Sequence, residues 1–250
     1  MMSENPFVIE ESLTGKRVLL TGGSTGIGRA TLAVLARAGA RIVTCARHMD
    51  ELREALEHSK LDPTLGVEAD ISRPDDIARI FAAVDERLGG LDVLIGNAAI
   101  GARPLTEAAD QEWRYAVETN LLGTIACTRG ALSRMEAAGG GQVVLVSSIS
   151  AEILSAGESV YAATKGGLNA FGLALRKEVS DRNIRVSLIE PGSVGTDMQN
   201  MPPEEQRAAI DRHAMLFAED IAEAIRWILT RPSRADVHML RIEPTKEKLT

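Results

Sequence analysis

Short apolar runs alternate along this chain with longer stretches in which apolar residues recur at three- and four-residue intervals. Runs of strand length fall at 17–21, 41–46, 65–69, 91–96, 142–147, 184–190 and 236–242. Helical spacing predicts helices over 26–38, 49–58, 111–138, 159–180 and 218–230. A further helix opens at Ser72-Arg73-Pro74, with Ser72 or Arg73 as cap and proline in the first turn, and ends near Gly89-Gly90. Gly39 stands where a left-handed residue closes the first helix. Strands joined through crossover helices pair in parallel and carry helices on both faces. The pattern therefore predicts an α/β fold, a doubly wound sheet of seven parallel strands forming a single domain over 1–250. No composition shift marks a linker, and no repeat is visible. One stretch, 196–217, has neither period; it holds Met198, Met201, Pro202, Pro203 and Met215 and starts just past the sixth strand. Doubly wound sheets bind ligands beyond the carboxyl ends of their strands, so a substrate lid is expected there.

Composition narrows the class. With 250 residues, 45% of them hydrophobic and 25% charged, the chain can bury a full core without disulfide or metal staples. A net charge of −7 without a basic stripe argues against a nucleic-acid partner. Apolar runs such as 143–146 fall far short of the ~18 residues that span a bilayer, so no membrane partner is expected. The polar, acidic start over 1–12 lacks the basic and apolar segments of a signal peptide. Cys45 and Cys127 alone suit a reducing compartment, and a cytoplasmic protein is expected. His48, His58, His213 and His238 are scattered without ligand spacing, so no metal site is expected. A hydrolase is set aside because no Gly-x-Ser-x-Gly elbow surrounds Ser148.

The first strand runs into Thr21-Gly22-Gly23-Ser24-Thr25-Gly26-Ile27-Gly28, which opens the first helix. Glycines let backbone approach a ligand closely, and a helix N-terminus offers free N–H groups and partial positive charge to a pyrophosphate. The spacing Thr-Gly-x-x-x-Gly-Ile-Gly resembles the short-chain dehydrogenase/reductase family, whose fold is of the Rossmann type. The resemblance covers about 14–197 and implies that Gly22, Ser24, Thr25, Gly26, Ile27 and Gly28 bind a nicotinamide dinucleotide. Which dinucleotide depends on the end of the second strand, where an acid would bind a ribose 2′-hydroxyl. Ala46 stands there instead, and Arg47 follows, a permanently charged fork suited to a 2′-phosphate. NADP(H) is therefore expected over NAD(H). The resemblance further implies cofactor contacts from Asp70 and Ile71, from Asn97 and Ala98, and from Pro191, Gly192, Val194 and Thr196.

Of the two tyrosines, Tyr161 alone is followed four residues later by lysine, in Tyr161-Ala-Ala-Thr-Lys165. Positions i and i+4 share a helix face, so the ammonium comes near the phenol. Bringing a phenol from about 10 to neutrality needs roughly 4 kcal/mol, and one ammonium at ~4 Å in an effective dielectric of ~20 supplies about that. Such a pair makes Tyr161 a general acid/base without a metal. A hydroxyl after the fifth strand can hold the substrate oxygen; Ser147, Ser148 and Ser150 compete on sequence, and the family spacing selects Ser148. Asn120 matches the family's asparagine within the long helix, where the resemblance implies a kink whose carbonyl holds a water linked to Lys165. Asn120, Ser148, Tyr161 and Lys165 then complete the catalytic set, and Tyr161 and Lys165 also bind the nicotinamide ribose. The expected reaction moves hydride between nicotinamide and a carbonyl or alcohol. An NADPH sensor without turnover is the alternative, against which the intact set of reacting groups argues.

Trp113 and Trp227 are read as packing residues, and Glu152, Glu158 and Glu190 as solvated or capping ones. The tail, from Asp220-Ile221-Ala222-Glu223-Ala224 to Glu243-Pro244-Thr245, resembles a subset that includes short-chain 3-hydroxy acid and aldehyde reductases. Ketones, aldehydes, sterols and acyl thioesters all remain open as substrates. The resemblance also implies a homotetramer or homodimer, paired through the helices over 111–138 and 159–180.

Overall fold

The computed structural model describes residues 10–246; most of the polar start over 1–12 lies outside them. Strands β1 (Arg17–Thr21), β2 (Arg41–Ala46), β3 (Gly66–Glu68), β4 (Val93–Gly96), β5 (Gly141–Val146), β6 (Ile184–Pro191) and β7 (Met239–Ile242) form one parallel sheet. Their order is β3-β2-β1-β4-β5-β6-β7. The chain winds outward from β1 to β3, then returns to β4 on the other side of β1, which opens a crevice above the carboxyl ends of β1 and β4.

Each strand splits its side chains between two cores, as a period of two demands. Val18 and Leu20 face one way with Ile42, Val93, Ile95, Val144 and Ile189, against α1 (Gly26–Arg37), α2 (Met49–His58) and α9 (Ala218–Leu229). Leu19 faces the other way with Val43, Leu94, Val143, Leu145 and Leu188. That face is covered by α3 (Pro74–Leu88), α5 (Thr124–Ala137) and α7 (Ser159–Glu178). α9 shows the rule on a helix, with Ile221, Ile225 and Ile228 buried on one stripe. Arg73 is the N-cap of α3, Pro74 its first residue, and Gly89 its left-handed terminus at φ +72°.

The helix expected over 111–138 is interrupted. α4 (Asp110–Val117) passes into a π-helical turn, Glu118–Gly123, before α5 resumes. Two contacts hold the widened turn in place. The Asn120 amide bonds the Ile100 main chain in both directions at 2.8 Å. At Gly123 the backbone of Ile71 stands only 2.4 Å from where a Cβ would be.

Other elements differ more modestly. The strand expected over 65–69 begins later because Pro63–Leu65 forms a 3-10 turn, capped by Asp62 Oδ1 accepting from Thr64 N at 2.8 Å. The strand expected over 91–96 and the last strand are shorter too, although Leu91 stays fully buried. The aperiodic stretch 196–217 contains a helix, α8 (Pro203–Asp211), started by its prolines, and a short helix α6 (Ser150–Ile153) follows β5. Trp227 is not a core residue: it is 42% exposed, with the Arg231 guanidinium 4.6 Å from its ring. No helix among the described residues is long and apolar enough to cross a membrane.

Candidate active site

A cleft of about 990 Å³ lies above the strand ends. Its floor is the turn after β1. Gly22 has φ +72°, and at Gly28 the Gly22 carbonyl oxygen lies 1.8 Å from where a Cβ would stand. Only glycine lets these two backbones meet. Thr21, which the sequence reading passed over, pins the arrangement from below. Its buried Oγ1 accepts from Asn97 N at 3.0 Å and Ala98 N at 3.1 Å. Asn97 returns the favour through its side-chain amide, donating to the carbonyls of Thr21 and Gly22, both at 3.0 Å. Asn97 thus lines the cleft while its nitrogen serves the turn.

The residues expected to bind a cofactor converge on this cleft. Gly22, Ser24, Thr25, Gly26, Ile27 and Gly28 line it from the turn, and Ala46 and Arg47 from the end of β2. Asp70 and Ile71 come from beyond β3, Asn97 and Ala98 from beyond β4, and Pro191, Gly192, Val194 and Thr196 from the end of β6. The fit to a dinucleotide can be tested on the structure itself. Thr25 makes no side-chain cap on α1 and the first turn of that helix has no acid, so its N–H groups are open to an anion. Thr119, also missed from sequence, lines the same cleft with its buried hydroxyl lacking a partner among the described residues. An orphaned polar atom and an uncapped, acid-free helix start are what a polar, anionic ligand would satisfy. The residues fit.

The reacting groups meet at the other end of the cleft. Ser148 lies just past β5, and Tyr161 and Lys165 share a face of α7. The three serines have separate fates. Ser147 turns inward to the Lys165 carbonyl at 3.4 Å, and Ser150 donates to Glu158 Oε2 at 3.0 Å. Ser148 Oγ accepts from Ser150 N at 3.1 Å and lies beside the Tyr161 phenol, whose ionised form it favours. The Lys165 Nζ lies 5.6 Å from the Tyr161 ring centre and donates to Val146 O at 2.9 Å. Asn120 does not line the cleft; 1% exposed, it braces α7 from behind by donating to Thr164 Oγ1 at 3.3 Å. Its carbonyl accepts the Thr124 hydroxyl at 3.0 Å.

The electrostatics correct one expectation. The phenol is not brought toward neutrality by the lysine: burial pushes it up to about 12, against the Ser148 hydrogen bond and with help from the Glu158 charge. Burial likewise pushes the Lys165 ammonium down to about 8. Desolvation disfavours the charged form of both groups and is the largest cause of each shift.

Glu152 is exposed as expected, in the first turn of α6, but the other two glutamates differ from expectation. Glu158 stands at the N-cap position of α7 without capping it, and faces the cleft. Glu190 is fully buried, taking Asn169 Nδ2 at 2.6 Å and Arg241 Nε and Nη2 at 3.0 and 2.7 Å. Arg241 reaches Glu152 as well, at 2.6 Å.

A sequence model described as short chain dehydrogenase matches residues 16–207. Farnesol dehydrogenase of Aedes aegypti is 32% identical over 244 residues, covering 94% of this chain and 98% of that protein. L-sorbose reductase from Gluconobacter frateurii, solved with NADPH and L-sorbose, has a TM-score of 0.83 at 28% identity, over 94% of this chain and 97% of that one. 3-ketoacyl-(acyl-carrier-protein) reductase from Brucella melitensis, solved with NADH, has a TM-score of 0.85 at 26% identity, over 95% and 100%.

Proposed function

This chain belongs to the short-chain dehydrogenase/reductase family, and from that premise we propose that it is an NADP(H)-dependent oxidoreductase of carbonyl and alcohol substrates. The observation that carries the reading is the meeting of Ser148, Tyr161 and Lys165 at one end of a cleft whose other end suits a dinucleotide. A bound nicotinamide supplies the hydride donor or acceptor. The turn from Gly22 to Gly28 and the start of α1 would hold its pyrophosphate, and Val194 and Thr196 would hold its nicotinamide end. Ala46 presents no carboxylate to a 2′-phosphate, and Arg47 offers it a guanidinium. The solved relatives bind NADPH in one case and NADH in another, so the choice of NADP(H) rests on these two positions.

In the reducing direction, Ser148 Oγ holds the substrate oxygen beside the Tyr161 hydroxyl, which delivers its proton to that oxygen. The high value of the phenol keeps that proton in place at neutral pH. Lys165, charged below about 8, stabilises the phenolate left behind and binds the nicotinamide ribose. In the oxidising direction the same oxygen receives the proton. Asn120 acts through α7, keeping Tyr161 and Lys165 aligned. The segment 196–217 closes over the substrate as a lid: its start lines the cleft, and its end is tied back by Leu216 N donating to Ser193 O at 2.9 Å. Pairing of subunits through α5 and α7 is supported by Leu122 beside α5 and Leu173 on α7, 54% and 37% exposed.

The test is a spectrophotometric screen of NADPH oxidation against aldehydes, ketones, keto acids and keto sugars. Turnover of at least one class, with NADH less efficient, is expected. Tight NADPH binding with no turnover across the panel would instead favour a sensor.

A further inference from the structure

Resting on the NADP(H) reading, we propose that Tyr115 is a positioning residue for cofactor choice, holding the Arg47 guanidinium over the adenosine end of the cleft and keeping it from Asp70. Tyr115 lies on α4, and one hydroxyl joins it to both side chains. Its oxygen accepts from Arg47 Nη1 at 3.0 Å and donates to Asp70 Oδ2 at 2.6 Å. The Asp70 carboxylate is fixed at its other oxygen too, where Ser72 N donates at 2.9 Å. The phenol proton is thus committed to a carboxylate, which polarises the oxygen and makes it a better acceptor for the guanidinium.

The phenol also acts as a spacer. Arg47 and Asp70 both line the cleft and carry opposite charges. In direct contact they would form an ion pair, and the arginine would be spent on the protein. With Tyr115 between them, Arg47 is bonded to a neutral group, its ring-centre distance 5.9 Å, and its charge is left for a ligand phosphate. Ordering a long side chain in advance also removes part of the entropy lost on binding.

The experiment measures dissociation constants for NADPH and NADH by nicotinamide fluorescence on the wild type, Tyr115→Phe, Arg47→Ala and the double variant. Tyr115→Phe should weaken NADPH about five- to tenfold, the worth of about one ordinary hydrogen bond, and NADH by less than about twofold. In the Arg47→Ala background it should not change the NADPH-to-NADH ratio further, since coupled residues are not additive. Each ratio is taken on one preparation, so any loss of folded protein cancels. An unchanged ratio in Tyr115→Phe beside a collapsed ratio in Arg47→Ala overturns the positioning role alone. Equal weakening of both cofactors marks Tyr115 as merely structural and overturns it as well. A ratio that ignores Arg47→Ala removes the NADP(H) reading and this inference with it.

Discussion

Lys165 is 3% exposed, and burial brings its ammonium from an ordinary 10.5 down to about 8. At about 1.36 kcal/mol per tenfold change, that fall means the fold disfavours the charged amine by about 3 kcal/mol. The sign follows from proton counting. Below about 8 both folded and unfolded chains hold the proton and the penalty is fully present. Between about 8 and 10.5 the unfolded chain holds more protons than the folded one, so stability rises with pH and the penalty is released. Replacing Lys165 by Met keeps the length and apolar bulk and removes the charge. It also orphans Val146 O, which loses a bond of 2.9 Å at a cost of about 1–2 kcal/mol. The balance at pH 7 is a gain of about 1–2 kcal/mol, or about 2–8 °C in Tm for a chain this long. Thermal unfolding of wild type and variant, followed by circular dichroism at pH 7 and 9.5, reads it directly. The variant should melt higher at pH 7, the gap should close by pH 9.5, and turnover should be lost. A variant that melts lower than wild type at pH 7, with a gap indifferent to pH, would refute the reasoning that Lys165 is held charged against its surroundings for catalysis.

Three further outcomes are expected. Gly28→Ala places a Cβ 1.8 Å from the Gly22 carbonyl oxygen, so the turn must move; dinucleotide affinity, read by fluorescence titration, should fall more than about tenfold. Arg241→Met strips the fully buried Glu190 carboxylate of its cation and should destabilise the fold by about 3–5 kcal/mol in urea unfolding. Adding Glu190→Gln to that variant should restore most of the loss. The rate of carbonyl reduction should decline above about pH 8, as Lys165 loses its charge, while Tyr161 keeps its proton up to about 12.

Strand positions were legible because a buried parallel strand is a short apolar run, and β1, β2 and β5 fall within a residue of where that run places them. The glycine turn was legible for the opposite reason, since clustered glycines after a strand serve little else. What escaped depends on distant partners. The π-helical turn around Asn120 answers to the Ile100 and Ile71 backbones, which no local period announces. Arg47 reads as a free cation in sequence, yet its neighbour is a tyrosine from α4. Glu190 reads as a surface carboxylate until Arg241 and Asn169 are brought to it by β7 and α7. The phenol's high value escaped because pair arithmetic counted the lysine's attraction and left out the burial of both groups.

The proton on Tyr161 is the centre of the account, and Tyr161→Phe tests it most directly, once the screen has found a carbonyl that turns over. Single-turnover and steady-state rates should fall by about 10²–10⁴, the reach of one general acid, with the NADPH dissociation constant within about twofold of wild type. A variant that keeps turnover within about tenfold, or that loses it only because NADPH no longer binds, would contradict the assignment.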